Sequence, residues 1–268
     1  MILVPSEPPP RPWHVSIDGP TAAGKTTLAT GLARASSGNV AAPGTLVLDT
    51  GLTYRAAALV LSRQPDLTSA AFDRALLHLP ALWHGGDREH PGERLVLMWN
   101  DQDITDRLHT EHVTAHLPLI AGNAVWRDAI LNRHTQLVSH SAPYNLITVG
   151  RDTTPTLAPA SALAVHLTAD LEIRRQRRHT QFAHSPDHST AVGPETALDV
   201  RVRAALRTRP RTLHIDSTHL TETDVRTRVL DALTAHASAV PTDPDGTRES
   251  DDRRAAHGCR GPRRARAR

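Results

Sequence analysis

The chain contains a single lysine, and that lysine sits inside the pattern that most limits what the chain can fold into. Residues 19–26 read Gly-Pro-Thr-Ala-Ala-Gly-Lys-Thr, which is G-x-x-x-x-G-K-T in full. Ahead of it, His14-Val15-Ser16-Ile17-Asp18 is a short apolar run, the pattern of a buried strand. Behind it, residues 25–35 read as a helix with Leu28 and Leu32 one turn apart. A strand, a glycine-bearing loop and a helix are the setting this motif requires. Gly19, Pro20, Thr21, Ala22, Ala23, Gly24, Lys25, Thr26 and Thr27 are therefore the expected nucleotide-binding residues. Backbone N–H groups of such a loop and its first helical turn converge on an anion, and the helix dipole adds to the attraction. Gly24 lets the backbone turn close to phosphates, Lys25 reaches the β- and γ-phosphates as a point charge, and Thr26 offers its hydroxyl to Mg²⁺. Thirty of the 31 basic residues are arginine, so the one lysine marks a place arginine cannot fill. The motif by itself names a nucleotide and leaves the reaction open.

The length, 268 residues, suits one domain or two small ones. Further apolar runs lie at 46–49, 145–149, 163–167 and 212–215. Helical patterns fall between and after them at 53–62, 113–138 (broken near Pro118 and Gly122), 170–179, 198–207 and 222–236. Strands alternating with helices argue for a parallel sheet covered on both faces. The expected fold is α/β, a three-layer α/β/α P-loop domain with a five-stranded parallel sheet over residues 13–239. Residues 94–99 read as a further strand, 36–44 as a loop, and 66–91 give no clear period, with a turn at Gly85-Gly86. The Pro-rich leader 1–12 and the Pro/Asp/Arg-rich tail 240–268 are expected to be disordered.

Charge excludes more than it suggests. Residues 241–268 hold eight arginines and five acids, which accounts for the whole net charge of +3; residues 1–240 balance. A nucleic-acid-binding body is therefore set aside, and the basic tail reads as solvated. No apolar run approaches the ~20 residues needed to span a bilayer. The leader has no apolar core of a secretory signal. Cys259 is the only cysteine, which excludes an internal disulfide framework and a cysteine zinc site. His109, His112 and His116 lack the spacing of a helical metal motif, and Asp187-His188-Ser189 is adjacent in sequence only. The expectation is a cytoplasmic monomer without membrane contact.

Joined to Ile17-Asp18-Gly19-Pro20, the segment Leu48-Asp49-Thr50-Gly51-Leu52-Thr53-Tyr54-Arg55 makes the chain resemble bacterial cytidylate kinases. Asn100-Asp101-Gln102-Asp103-Ile104-Thr105, Trp126-Arg127-Asp128, Gly150-Arg151-Asp152 and Leu213-His214-Ile215-Asp216-Ser217-Thr218 follow in that family's order, and the likeness covers about 13–236. It implies phosphoryl transfer from ATP–Mg²⁺ to a nucleoside monophosphate, CMP or dCMP, with an acceptor-binding insertion at about 55–144 and a lid at about 170–208. It also implies roles for residues. Arg55 and Arg151 would hold the acceptor phosphate, Arg127 and Asp152 would face the base, and Thr50 and Tyr54 would lie beside them. Arg177 and Arg178, in the run 174–178, would clamp the transferring phosphoryl group. Bidentate phosphate recognition is a task suited to arginine in any case.

Three departures stand out. Val149 replaces an aspartate expected near Mg²⁺, Pro118 replaces a serine expected to help read cytosine, and the lid motif is altered, leaving Asp199 as the one nearby carboxylate for a ribose and Arg203 or Arg207 as the late arginine. A polar site rejects ligands lacking its partner strongly, so losing base readers bears on the acceptor more than on the kinase chemistry. A kinase of another small-molecule acceptor and a non-catalytic nucleotide-binding module stay open.

Overall fold

The computed structural model describes residues 12–37, 44–63, 66, 68, 70–72, 83–84, 98–99, 102–141 and 144–239. The expectations for the leader before Pro12, the tail from 240, most of 66–91 and the start of 94–99 lie outside these residues.

The phosphate loop joins β1 (His14–Asp18) to α1 (Lys25–Ser37). Next come β2 (Thr45–Asp49), α2 (Thr50–Arg63), β3 (Trp83–His84), β4 (Met98–Trp99), β5 (Gln102–Asp103) and a 3₁₀ turn, Thr105–His109. Then follow α3 (Glu111–Gly122), α4 (Ala124–Ser139), β6 (Asn145–Gly150), the short α5 (Thr153–Thr156) and β7 (Leu163–Thr168). The chain continues through α6 (Leu171–Gln181), α7 (Ala197–Thr208), β8 (Thr212–Asp216) and α8 (Glu222–Ala239).

The main sheet runs β3-β2-β6-β1-β7-β8. Five strands are parallel, and β3 is an antiparallel edge beside β2 that the sequence pattern did not announce. β4 and β5 form a separate two-stranded ribbon. The chain starts in the middle of the sheet, and β6 inserts between β1 and β2. Such an order opens a crevice at the carboxyl ends of the strands, where ligands bind in open α/β sheets.

Alternation along the strands sorts two faces. Val15, Ile17, Val47, Ile147, Val149 and Val165 pack on Leu28, Leu32 and Ala29 of α1 and on Val225 and Val229 of α8. On the other face Leu46, Leu48 and Leu146 meet Leu137 and Val138 of α4, and Ala164 meets Val202 and Leu206 of α7. The result is three layers, α/β/α. A second cluster, Ala56, Leu59, Leu108, Val113, Ile120 and Ile130, joins α2 to α3 and α4.

The helical stretch from 113 breaks at Asn123, not at Pro118. Pro118 lies inside α3, exposed on its outer side. Asn123 ends α3 and caps α4, its side chain accepting from the Trp126 N–H at 3.2 Å.

Candidate functional site

Where the loop leaves β1, Gly19 occupies a position that no side chain fits. A Cβ on Gly19 would lie 2.0 Å from the Leu167 carbonyl oxygen. Gly24 (φ 95°) and Ala22 (φ 62°) are left-handed, the backbone conformation from which anion-binding nests are built. Lys25 reaches back across the loop, and its Nζ donates to the Pro20 carbonyl at 2.8 Å. Burial pulls its ammonium down to about 8, with the Asp49 charge opposing the fall.

Thr26 Oγ1 donates to Asp49 Oδ2 at 2.8 Å, and Gly51 N–H donates to Asp49 Oδ1 at 3.0 Å. Desolvation raises the Asp49 carboxyl, opposed by Thr26 and Lys25. Asp49 and Val149 are register partners on adjacent strands, and Val149 is core. A carboxylate thus does stand at the phosphate loop, one strand over from the position that departs from the family pattern. Sequence reasoning named its neighbours Thr50, Tyr54 and Arg55 and missed Asp49; the available signal was a carboxylate closing an apolar strand. A hydroxyl with a carboxylate is an all-oxygen donor set of the kind Mg²⁺ takes, and the glycine cradle fits phosphates.

Asp18 was also missed. It is fully buried, and its two oxygens accept the Thr153 and Thr154 N–H groups at 2.6 and 2.8 Å. Burial raises its carboxyl, while those hydrogen bonds act to lower it. Asp18 thereby ties the entry of the phosphate loop to the Gly150-Arg151-Asp152 turn. Thr50 Oγ1 closes the same end of the sheet by donating to the Val149 carbonyl at 3.0 Å.

Arg55, half-buried on α2, donates from Nη1 to the Leu108 carbonyl and to Thr114 Oγ1, both at 3.1 Å. Arg151 pairs with Asp199 through both its Nε (3.1 Å) and its Nη2, and Nη2 also donates to Thr196 Oγ1 at 3.1 Å. Asp199 caps α7 with Thr196. Burial alone would raise its carboxyl; the Arg151 and Thr196 hydrogen bonds outweigh that and hold it below the usual range. Asp199 is therefore engaged by its own helix and by Arg151. Tyr54 packs against the second cluster. Desolvation raises its hydroxyl, and the charges of Asp152, Arg127 and Asp128 act on it in turn. Arg127 is exposed, and its Nη1 donates to the Ala121 carbonyl at the end of α3.

The inward face of α6 is made of arginines. Arg174 and Arg178, one turn apart, are 3% and 7% exposed. Arg174 donates from Nη1 to the Thr21 carbonyl of the phosphate loop (3.3 Å) and to Gly193 (3.2 Å), and from Nε to Ala169 (3.0 Å). Arg177 turns to the loop after β8, donating to Ser217 Oγ (2.9 Å) and Ser217 O (2.7 Å). Ser217 Oγ in turn donates to Thr168 O at 2.9 Å. Arg178 lies on the opposite flank, by Ser189 and Phe182. Sequence reading picked Arg177 and Arg178 and left out Arg174, which the helical i, i+4 spacing to Arg178 would have raised.

A phosphate loop at a sheet switch point, a hydroxyl–carboxylate pair beside it and arginines on the facing elements define a nucleotide-binding P-loop transferase of the kinase class. A family model described as Cytidylate kinase matches residues 15–235, and the chain belongs to that family of phosphotransferases. A cytidylate kinase of Azotobacter vinelandii is 30% identical over 234 residues, 84% of this chain and 96% of the relative. One of Pseudomonas fluorescens is 31% identical over 82% of this chain and 94% of the relative, and one of Pseudomonas paraeruginosa 35% identical over 63% and 69%. Among the described residues no helix is long and apolar enough to cross a membrane.

Proposed function

We propose that the protein transfers the γ-phosphoryl group of ATP to a nucleoside monophosphate, with CMP and dCMP as its acceptors. The observation that carries this reading is the meeting, at the carboxyl ends of β1, β2 and β6, of the Lys25 loop with Thr26–Asp49 on one side and Arg55 and the Arg151-Asp152 turn on the other. An oxygen of the acceptor phosphate attacks the γ-phosphorus, the bond to the ADP oxygen breaks, and ADP leaves. ATP supplies the transferable group, and Mg²⁺ bound with it would neutralise charge on its oxygens.

The remaining work belongs to side chains. Residues 19–27 cradle the donor phosphates through backbone N–H groups, and Lys25 neutralises their charge. Thr26 and Asp49 are the groups that would hold Mg²⁺. Arg55 and Arg151 hold the acceptor phosphate in line, with Arg151 exchanging its Asp199 partner for it. Tyr54, Arg127 and Asp152 border the base. Arg177 and Arg178 complete the lid over the transferring group. Catalysis is then positioning and charge stabilisation, with little covalent chemistry asked of the protein.

The test is ADP release from ATP–Mg²⁺ with CMP, dCMP, UMP, AMP and GMP in turn, beside no-acceptor and Lys25→Ala controls. Strong stimulation by CMP or dCMP, absent in Lys25→Ala, is expected. ATP binding without stimulation by any monophosphate would overturn the reading.

A further inference from the structure

The lid does not hang free over the crevice. After α6 the chain turns back through residues 182–189 and lies against the 3₁₀ turn and the start of α3. Ser189 N–H donates to the His109 carbonyl (2.9 Å), Glu111 N–H donates to the Asp187 carbonyl (2.8 Å), and Thr110 and His188 form an antiparallel bridge between these same segments. His188 Nε2–H donates to the Asp106 carbonyl at 2.7 Å. At the centre stands Phe182. Its ring stacks on His188 (centroids 4.7 Å apart, planes 20° apart) and leans on His109 (5.4 Å, 39°). The Arg178 guanidinium lies 4.3 Å from the ring centroid.

We infer that this Phe182-centred latch fastens the lid to the acceptor half, and that it sets Arg178 beside Arg55 as a further guanidinium, with Arg55 and Arg151, for the acceptor's phosphate. The inference rests on the phosphoryl-transfer reading above. The two latched segments each give one backbone carbonyl to one arginine. Leu108 O receives Arg55 Nη1 at 3.1 Å, and Ser189 O receives Arg178 Nε at 3.1 Å. Leu108 adjoins His109, whose carbonyl accepts from Ser189, so the two arginines are anchored side by side across one hydrogen-bonded pair. Gln181 Oε1 takes a further Arg178 N–H at 3.3 Å. Among the described residues no carboxylate forms an ion pair with either guanidinium. Burial, and after it the Arg55 charge, pull Arg178 down to about 10, so the two guanidiniums stand near enough to repel each other. His109 is kept neutral by burial and by both arginines, which pull it down to about 3, and its Nδ1 has no hydrogen-bond partner. A doubly charged phosphate fits two forked cations and relieves their repulsion.

Three of the four arginines of α6 thus divide. Arg174 serves the donor loop, Arg177 the loop after β8, and Arg178 the acceptor. Phe182 is a positioning residue, acting through Arg178.

Rates with ATP and CMP varied independently test this on the full chain. Arg178→Gln is expected to raise the KM for CMP about tenfold or more and leave the KM for ATP within about twofold. Phe182→Ala and Phe182→Leu should reproduce the CMP defect, and Phe182→Tyr should restore the wild-type value. A rise in the ATP KM alone, or an equal rise in both with a lower melting temperature, would overturn the inference. So would an unchanged CMP KM in Phe182→Ala. Hydrogen exchange supplies a readout independent of turnover. In Phe182→Ala the Glu111 and Ser189 amides should lose protection while the β1 and β6 amides keep theirs; unchanged protection sinks the latch. That arm decides even where the wild type phosphorylates no monophosphate, the outcome by which the functional reading itself fails.

Discussion

Lys25 holds its charge in a place that makes the charge costly. Its pKa falls from 10.5 to about 8. Between those values the unfolded chain keeps a proton that the folded chain has released, so this group makes stability rise with pH across that window. A phosphate beside the ammonium favours the charged form. ATP binding above pH 8 should therefore take up a proton and weaken as pH rises. Calorimetric titrations in buffers of different ionisation enthalpy measure that uptake, and identical heats in every buffer would contradict it. Lys25→Ala should lower turnover about a thousandfold or more with the melting temperature unchanged. Asp199 gives a slope of the same sign in a different, acidic window. Its folded pKa lies below 3.8, so its contribution is complete above that pH and is lost as the pH falls through the lowered value. Asp199→Ala, which removes a cap and a partly exposed pair, should cost about 2 kcal/mol at neutral pH in denaturant titrations, and the gap to wild type should close in acid.

Among the elements, α3 carries an internal proline whose missing N–H leaves the Thr114 carbonyl without its helical donor. Pro118→Ala restores that donor on an exposed face and should stabilise the fold by about 1–2 kcal/mol, read as a higher melting temperature. The sequence was informative about elements whose own residues determine them. The five parallel strands lie within a residue or two of their apolar runs because four of them are buried on both faces and β8, at the edge, keeps Ile215 in the core. The helices at 171–181, 197–208 and 222–239 follow from periodicity in the same way. Relations between elements were not legible. Thr26 meets Asp49, Asp18 meets Thr153, and Arg174 meets Thr21 only because of the strand order, which no local pattern encodes. Pro118 failed as a breaker because tertiary packing of Val113 and Ile120 holds α3 through it.

At the scale of the whole molecule, the strand order makes the donor and acceptor halves parts of one rigid end of the sheet. β1 delivers the phosphate loop, β2 delivers Asp49 and α2, and β6 between them delivers the Arg151 turn. Close packing at this end leaves no room for change. Gly19→Ala would drive a methyl to 2.0 Å from the Leu167 carbonyl, and it should cost about 3 kcal/mol and displace the loop. A soluble variant with wild-type melting temperature and ATP affinity would contradict that account.

The solitary lysine has a consequence for anyone wishing to watch this protein work. The chain offers a single side-chain amine, and its lowered pKa leaves a larger share of it as free amine near neutral pH than a surface lysine has. An acylating or reductive-methylating reagent will therefore find one side-chain address, inside the phosphate loop, with no neighbouring amines to confuse the signal. A ¹³C-methyl group placed there is a spectroscopic reporter of loop occupancy, and protection of that address by ATP can be read directly as a mass that fails to appear.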